Sequence, residues 1–241
     1  MRTIRLMFGI AVLSVAADIA CQKAKVVPAP ASITVIHAMA GGNAIVPRFG
    51  DDTTGRYYIG PTGGSTMVQV GYGASQLYSR VAGTNPLLVV PITDTAFKIF
   101  KGSMTLQSGS IYSFFLSGDT AHADTTLIQD NIPSYADSSA GVRFINLATG
   151  GKSLIVNLTG DPSHTPITTL SYRQNSDFKK YAATMAAGGS YGFDIRDQAT
   201  GDSLTSFSWS YPRFKNSTII IAGSTDPSST TPLTVFSVAN Y

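Results

Sequence analysis

The chain contains one cysteine, and its position gives it a definite chemistry. Cys21 follows a segment in which Arg2 and Arg5 precede an apolar run from Leu6 to Ala17. A positive start, an apolar stretch of about 7–15 residues and small residues at the cut make a secretory leader. A spanning helix needs about 20 apolar residues, so this run is too short for one. Ala20 before Cys21 suits lipoprotein signal peptidase, which cleaves once diacylglycerol has been joined to the thiol. Asp18 departs from the aliphatic residue usual at that place. The alternative is cleavage after Ala17, with Val15 and Ala17 as the small pair and Cys21 left as a free thiol. A lone thiol in an oxidising compartment is otherwise hard to explain. Lipid attachment at Cys21 is therefore the expectation.

Other reactive types are present without the spacing that catalysis needs. Gly188-Gly189-Ser190-Tyr191-Gly192 matches the G-x-S-x-G pattern, but a nucleophile elbow requires a helix after the serine. Here an alternating strand pattern follows, so the segment reads as a turn. His37, His122 and His164 are far apart and form no metal-ligand motif. Asp51-Asp52 and Asp119 with Asp124 could offer oxygens to calcium, yet neither has a calcium-loop spacing, and solvated turns are the simpler reading. No metal and no cofactor is expected. Aromatic residues are the most suggestive group. Tyr57, Tyr58, Trp209 and Tyr211 sit beside turns and are the candidate ligand contacts, because exposed rings stack on sugars or anchor proteins. Core or edge filling competes with that reading.

The elements holding these residues are strands. All 14 acidic residues are Asp, and there is no Glu in the chain. Asp favours turns where Glu favours helices. With 23 Gly and 12 Pro, that bias predicts short strands joined by turns. Tyr191–Arg196, Leu204–Trp209 and Thr95–Phe100 alternate apolar and polar residues, and Leu87–Ile92 is continuous enough for an inner strand. Asn175–Met185 is the one helix-like stretch. Charged residues are only 13% and the positive ones are scattered, with only Lys179-Lys180 adjacent. Nucleic-acid binding needs clustered cations and is not expected.

An internal repeat sets the organisation. Ile33–Gly42 (ITVIHAMAGG) recurs as Val142–Gly151 (VRFINLATGG), which places His37 opposite Asn146. Ile111–Gly118 pairs with Ser217–Ser224 near the ends of the two halves. A separation of roughly 100 residues is that of one sandwich domain. The expected plan is a signal peptide over 1–20, a Pro-stiffened lipidated tether over 21–30, and all-β immunoglobulin-like sandwiches over 31–137 and 138–241. The hinge falls at 134–139, after Pro133.

Two segments carry a family resemblance: Ala140–Leu147 (AGVRFINL) and Leu106–Gly118 (LQSGSIYSFFLSG). They resemble the domain of unknown function numbered 4397, common in Bacteroidetes lipoproteins. The resemblance covers most of the mature chain and implies immunoglobulin-like sandwiches on a lipid anchor. It carries over no active site. The expected function is a non-enzymatic envelope lipoprotein, exported and held on the outer membrane, facing periplasm or surface. It would bind a glycan or an envelope protein, or act as a spacer. A hydrolase or accessory enzyme on the same scaffold is the alternative. Cys21→Ser is expected to abolish labelling by a palmitate analogue and to release the protein from membranes; unchanged labelling would refute the anchor.

Overall fold

A computed structural model describes residues 28–50, 57–59, 65–119, 122–161, 165–184, 186 and 188–240, with 57–59 and 65–67 as backbone alone. The leader, Cys21, Asp51, Asp52 and His164 lie outside these residues. The first half builds β1 (Ala31–His37), β2 (Ile45–Phe49), β3 (Tyr57–Ile59), β4 (Ser65–Met67), β5 (Ser75–Arg80), β6 (Gly83–Pro91), β7 (Phe100–Leu106), β8 (Ile111–Gly118) and β9 (Ala123–Gln129). The second half builds β10 (Ser139–Asn146), β11 (Leu154–Leu158), β12 (Ile167–Leu170), β13 (Lys179–Ala182), β14 (Ser190–Asp197), β15 (Ser203–Ser210), β16 (Asn216–Ala222) and β17 (Thr234–Asn240).

The strands form sheets of order β5-β1-β8-β9 and β2-β6-β7 in the first half, and β13-β10-β16-β17 and β12-β11-β14-β15 in the second. A β3-β4 hairpin stands apart. Each half is a sandwich with its own core. Ile33, Val35, Phe114 and Leu116 meet Ile45, Leu87, Val89 and Leu106 in the first. Val142, Phe144, Ile219 and Ile221 meet Leu154, Val156, Phe193 and Trp209 in the second. The fold is all-β.

The other face of each inner sheet is buried too. Ile36, Ala38 and Phe115 pack against Ile145, Leu147, Ile220 and Ala222, so the four sheets stack with the two inner ones face to face. Side chains alternate between faces along a strand. In β10, Val142 and Phe144 therefore fill the second sandwich while Ile145 meets the first half. The central pairs β1–β8 and β10–β16 run parallel. Parallel strands covered on both faces read as near-continuous apolar runs, which explains sequences such as Thr218–Ala222.

Two local expectations are corrected. Asn175–Met185 is not helical: Lys179–Ala182 pairs with β10, and Tyr181 opposite Ala140 is 8% exposed. The open edge of β10 and a buried ring outweigh a weak helix preference. Thr95–Phe100 is a turn up to Phe100. Asp94 Oδ1 accepts the backbone N–H groups of Ala96 and Phe97 at 3.0 and 3.3 Å, which closes an Asp-turn before β7 can start.

Register gives the repeat a sharper form than the sequence does. Thr34 lies opposite Ser113 in one parallel pair, and Arg143 lies opposite Thr218 in the other. Since Thr34 corresponds to Arg143, Ser113 corresponds to Thr218, one residue from the sequence pairing. A one-residue slip would turn every side chain to the wrong face. Gly118 and Gly223 confirm the shifted pairing, with φ of +84° and +87°. A Cβ at either would lie 2.2 Å from a carbonyl oxygen, that of His122 or Pro232.

The two halves also meet reciprocally. Gly73 N–H donates to the His37 carbonyl, and Arg173 N–H donates to the Asn146 carbonyl, so Tyr72 and Tyr172 are equivalent. The Tyr72 hydroxyl bonds Thr234 on β17 of the other half. Tyr172 donates to Asp124 on β9 of the first half at 2.7 Å. By their strand registers Asp124 and Thr234 are themselves equivalent. The repeats are thus related by an approximate two-fold axis along the strands, as in an isologous dimer.

A buried polar cluster lies on that interface. Ser113 donates to Asp130 Oδ2 at 2.7 Å, and its counterpart Thr218 donates to Asn240 Oδ1 at 2.6 Å. Arg143 breaks the symmetry. Its Nη2 sits 2.7 Å from Asp130 Oδ1 and donates to Ser113 at 3.1 Å, while Nε donates to Thr218 at 2.8 Å. The two charged side chains are 3% and 1% exposed. Removing one partner of such a pair strands a buried charge. Arg143→Ala is expected to destabilise the protein by about 3–5 kcal/mol in urea unfolding, and a loss under about 1 kcal/mol would show that the pair is not structural.

Candidate functional site

The aromatic candidates are distributed differently from the sequence expectation. Trp209 is 1% exposed and forms a ring cluster with Tyr181, Tyr191, Phe193 and Tyr211 at centroid distances of 6.0–6.4 Å. It is a core residue and presents no face to a ligand. Tyr211 accepts the Gly189 N–H at 2.8 Å and donates to the Thr184 carbonyl at 2.9 Å, which ties down the Gly188-Gly189 turn. Burial among these rings raises the Tyr181 phenol to about 12, with Tyr191 adding to it. Tyr57 and Tyr58 lie on β3, paired with Met67 and Thr66 of β4, and their side chains fall outside the description. Of the four candidates, Trp209 is thus a core residue and Tyr211 holds a turn.

Ser190 opens β14 directly after a turn in which Gly188 and Gly189 have φ of +79° and +84°. A strand follows it, so the elbow geometry is absent at this serine. Asp119 accepts the backbone N–H of His122 at 2.7 Å and so caps the β8–β9 turn. Asp124 is taken by Tyr172 and by Arg173, whose Nη1 lies 3.6 Å away. Among the described residues no three His, Cys or acidic side chains come together.

His37 has a structural role. Its ring is fully buried, and Nδ1 accepts the Met39 N–H at 3.2 Å, which leaves Nε2–H to donate to the Asn43 carbonyl at 3.0 Å. Asn146 does the same work: its Oδ1 accepts the Ala148 N–H, and its amide donates to the Lys152 and Leu170 carbonyls. Each side chain bonds the backbone two residues on and a carbonyl six residues on. Sequence equivalence of His and Asn had this common hydrogen-bond pattern as its cause.

A cleft between the repeats, which sequence reasoning missed, is the candidate ligand site. Its volume is about 280 Å³, and Ile128, Gln129, Asn131 and Pro133 face Arg143 and Asn175–Phe178 across it. Arg143 forms its floor, with the guanidinium carbon 4.9 Å from the centre of the Phe178 ring. Pro133, which lines the cleft, accepts an N–H from Asn216 on its carbonyl at 2.8 Å. Beyond it Lys180 donates to Asp137 at 2.8 Å and lies 5.4 Å from the Tyr135 ring centre. That lysine, with Ser139, lowers the Asp137 carboxyl to about 2. The connection at 134–139 is thus pinned to the second sandwich. No motif marks the cleft, since it draws on residues from both halves.

Burial lowers the His37 pKa, against the weaker opposing effect of its bond to the Asn43 carbonyl. The unfolded chain then takes up a proton near the ordinary imidazole value of about 6.5 while the folded chain resists it. Stability held by the neutral ring is complete above that pH and falls as pH drops below it. Thermal melts from pH 7.5 to 5 are expected to show a smaller acid loss for His37→Asn than for the parent; equal slopes would refute this role (both pH values about those spanning the imidazole range).

No family model and no curated protein matches this chain. Solved structures are similar at low identity. A family 26 carbohydrate-binding module from Eubacterium rectale, in complex with maltoheptaose, is 11% identical over 87% of this chain and 98% of its own, with a TM-score of 0.27. A streptococcal virulence factor described for α-glucan binding is 15% identical over 85% and 95%, with a TM-score of 0.26. At these scores the likeness transfers neither a superposed framework nor a ligand.

Proposed function

We propose that this chain is a non-enzymatic cell-envelope lipoprotein, anchored through Cys21 and resembling the domain of unknown function numbered 4397, that holds a binding surface away from the membrane. The observation that carries this reading is the direction of the approximate two-fold axis. Because β1, β8, β10 and β16 all run the same way, Ala31, Ser139 and the end of β17 lie at one end of the stack. The tether would join there, and Ser108 already bonds the Ala29 carbonyl at 2.9 Å. Loops 38–44, 92–98, 147–153 and 223–233 gather at the other end, where Gly41 approaches Thr231 across the interface.

Several features suit such a module. Interlocked sandwiches make a stiff support, and binding residues are commonly carried on loops of a rigid scaffold. Phe97 is 49% exposed at the loop end, and Phe214 is 61% exposed at the tether end. A partner meeting the loop end would contact the first and never the second. The purified protein, immobilised through its N-terminus, is to be probed on a glycan array and against extracted envelope proteins. Phe97→Ser is expected to lower capture about tenfold, the loss of about 1.4 kcal/mol of contact, while Phe214→Ser leaves it unchanged. The reverse pattern would overturn the orientation.

A further inference from the structure

We infer that the cleft between the repeats is a binding site for a neutral, hydroxyl-rich ligand of the size of one sugar ring. The inference rests on the cleft alone and does not depend on the loop end or the anchor.

The first ground is the state of Arg143. It is 2% exposed, and its Nε and Nη2 are committed to Thr218, Ser113 and Asp130. Nη1 has no partner in that network and is the part of the guanidinium left for the cleft it floors. A buried cation held rigidly on three sides offers its remaining N–H groups at little ordering cost, which is the condition for a preorganised contact. Those groups require an acceptor oxygen.

The second ground is the character of the wall. Gln129, Asn131 and Asn175 bring three carboxamides. Gln129 already donates to the Ser110 hydroxyl at 3.2 Å and Asn175 to the Ser176 carbonyl at 3.1 Å, which leaves each a second N–H and its oxygen. The Asp177 carboxylate adds further acceptors. Ile128, Pro133 and Phe178 supply apolar surface between them. A ligand that alternates hydroxyl groups with C–H faces satisfies both kinds of wall, whereas a hydrocarbon would strand the amides.

The third ground is charge. Asp130 already compensates Arg143, and the other charged residue of the wall is Asp177. An anion would therefore meet a neutralised guanidinium and a carboxylate. This selects a neutral polyol over a carboxylate or phosphate. The volume of about 280 Å³ is at the small end for ligand pockets and admits one ring rather than a chain.

The test uses the intact protein, isotope-labelled, titrated separately with glucose, galactose, mannose, N-acetylglucosamine and glucuronate. At least one neutral sugar is expected to shift the amide signals of Gln129, Asn131, Asn175 and Phe178, with a Kd on the order of 1 mM. Glucuronate is expected to bind about tenfold more weakly. Asn131→Ala with Asn175→Ala should weaken binding about tenfold without lowering the melting temperature. Should the double variant melt early, Asn131→Ala alone, at an exposed position, is the comparison. Three results would each overturn the inference: no neutral sugar shifting the cleft signals, glucuronate binding more tightly than all neutral sugars, or shifts confined to the loops at 38–44 and 147–153.

Discussion

The two inner sheets are covered on both faces, and the rest of the molecule follows from that constraint. A sheet with one solvated face can exchange polar residues there freely. These sheets cannot, because Ile36 and Phe115 of the first half are buried against Ile145 and Ile220 of the second. The halves are therefore not beads on a string. Each completes its partner's core, and the polar side chains that point into the seam must find partners within it, since a buried unpaired group costs about 1–3 kcal/mol. Ser113, Thr218, Asp130 and Asn240 do so in matched pairs.

Arg143 shows how duplicated sequence diverges under that constraint. Thr34 occupies the corresponding place in the first repeat, and Asn240 corresponds to Asp130. One copy thus carries a cation and the other its counter-ion, at positions the approximate symmetry brings together. A buried ion pair is a weak source of stability compared with an apolar substitute. What it does offer is direction: the two halves can associate in one arrangement without leaving a charge unpaired. The same side chain lines the cleft described here, so the buried pair and the cleft meet in one residue.

Much of the fold was legible in the residues. The alternation of Tyr191–Arg196 and Leu204–Trp209 falls within β14 and β15, and the apolar run at Leu87–Ile92 includes the inner part of β6. The repeat of His37 and Asn146 was visible as a pattern, although its cause lay in two shared hydrogen bonds that no composition reveals. Local periodicity failed where distant partners decide. Tyr181 is drawn into a strand by the β10 edge, and Asp94 holds 94–97 in a turn despite an alternating pattern. Trp209 reads as a contact residue because it stands beside a turn, yet period-two geometry turns it inward while Ser208 and Ser210 face out. The cleft was illegible for a different reason: its walls come from segments far apart in sequence and become neighbours only through packing of the two halves.

The parallel pairing of β1 with β8 has a temporal consequence. Its register joins Thr34 to Ser113, so the first strand must wait for nearly the whole of its half before its central ladder can form. Contacts of such long sequence separation make folding slow. A chain emerging from its N-terminus would complete the first sandwich while Ile36 and Phe115 still faced water, with the covering residues Ile145 and Ile220 not yet in place. Exposed apolar sheet faces of that kind invite pairing between molecules. Carrying both copies on one polypeptide makes the second half a covalently supplied cover, present at high local concentration as soon as it has been synthesised.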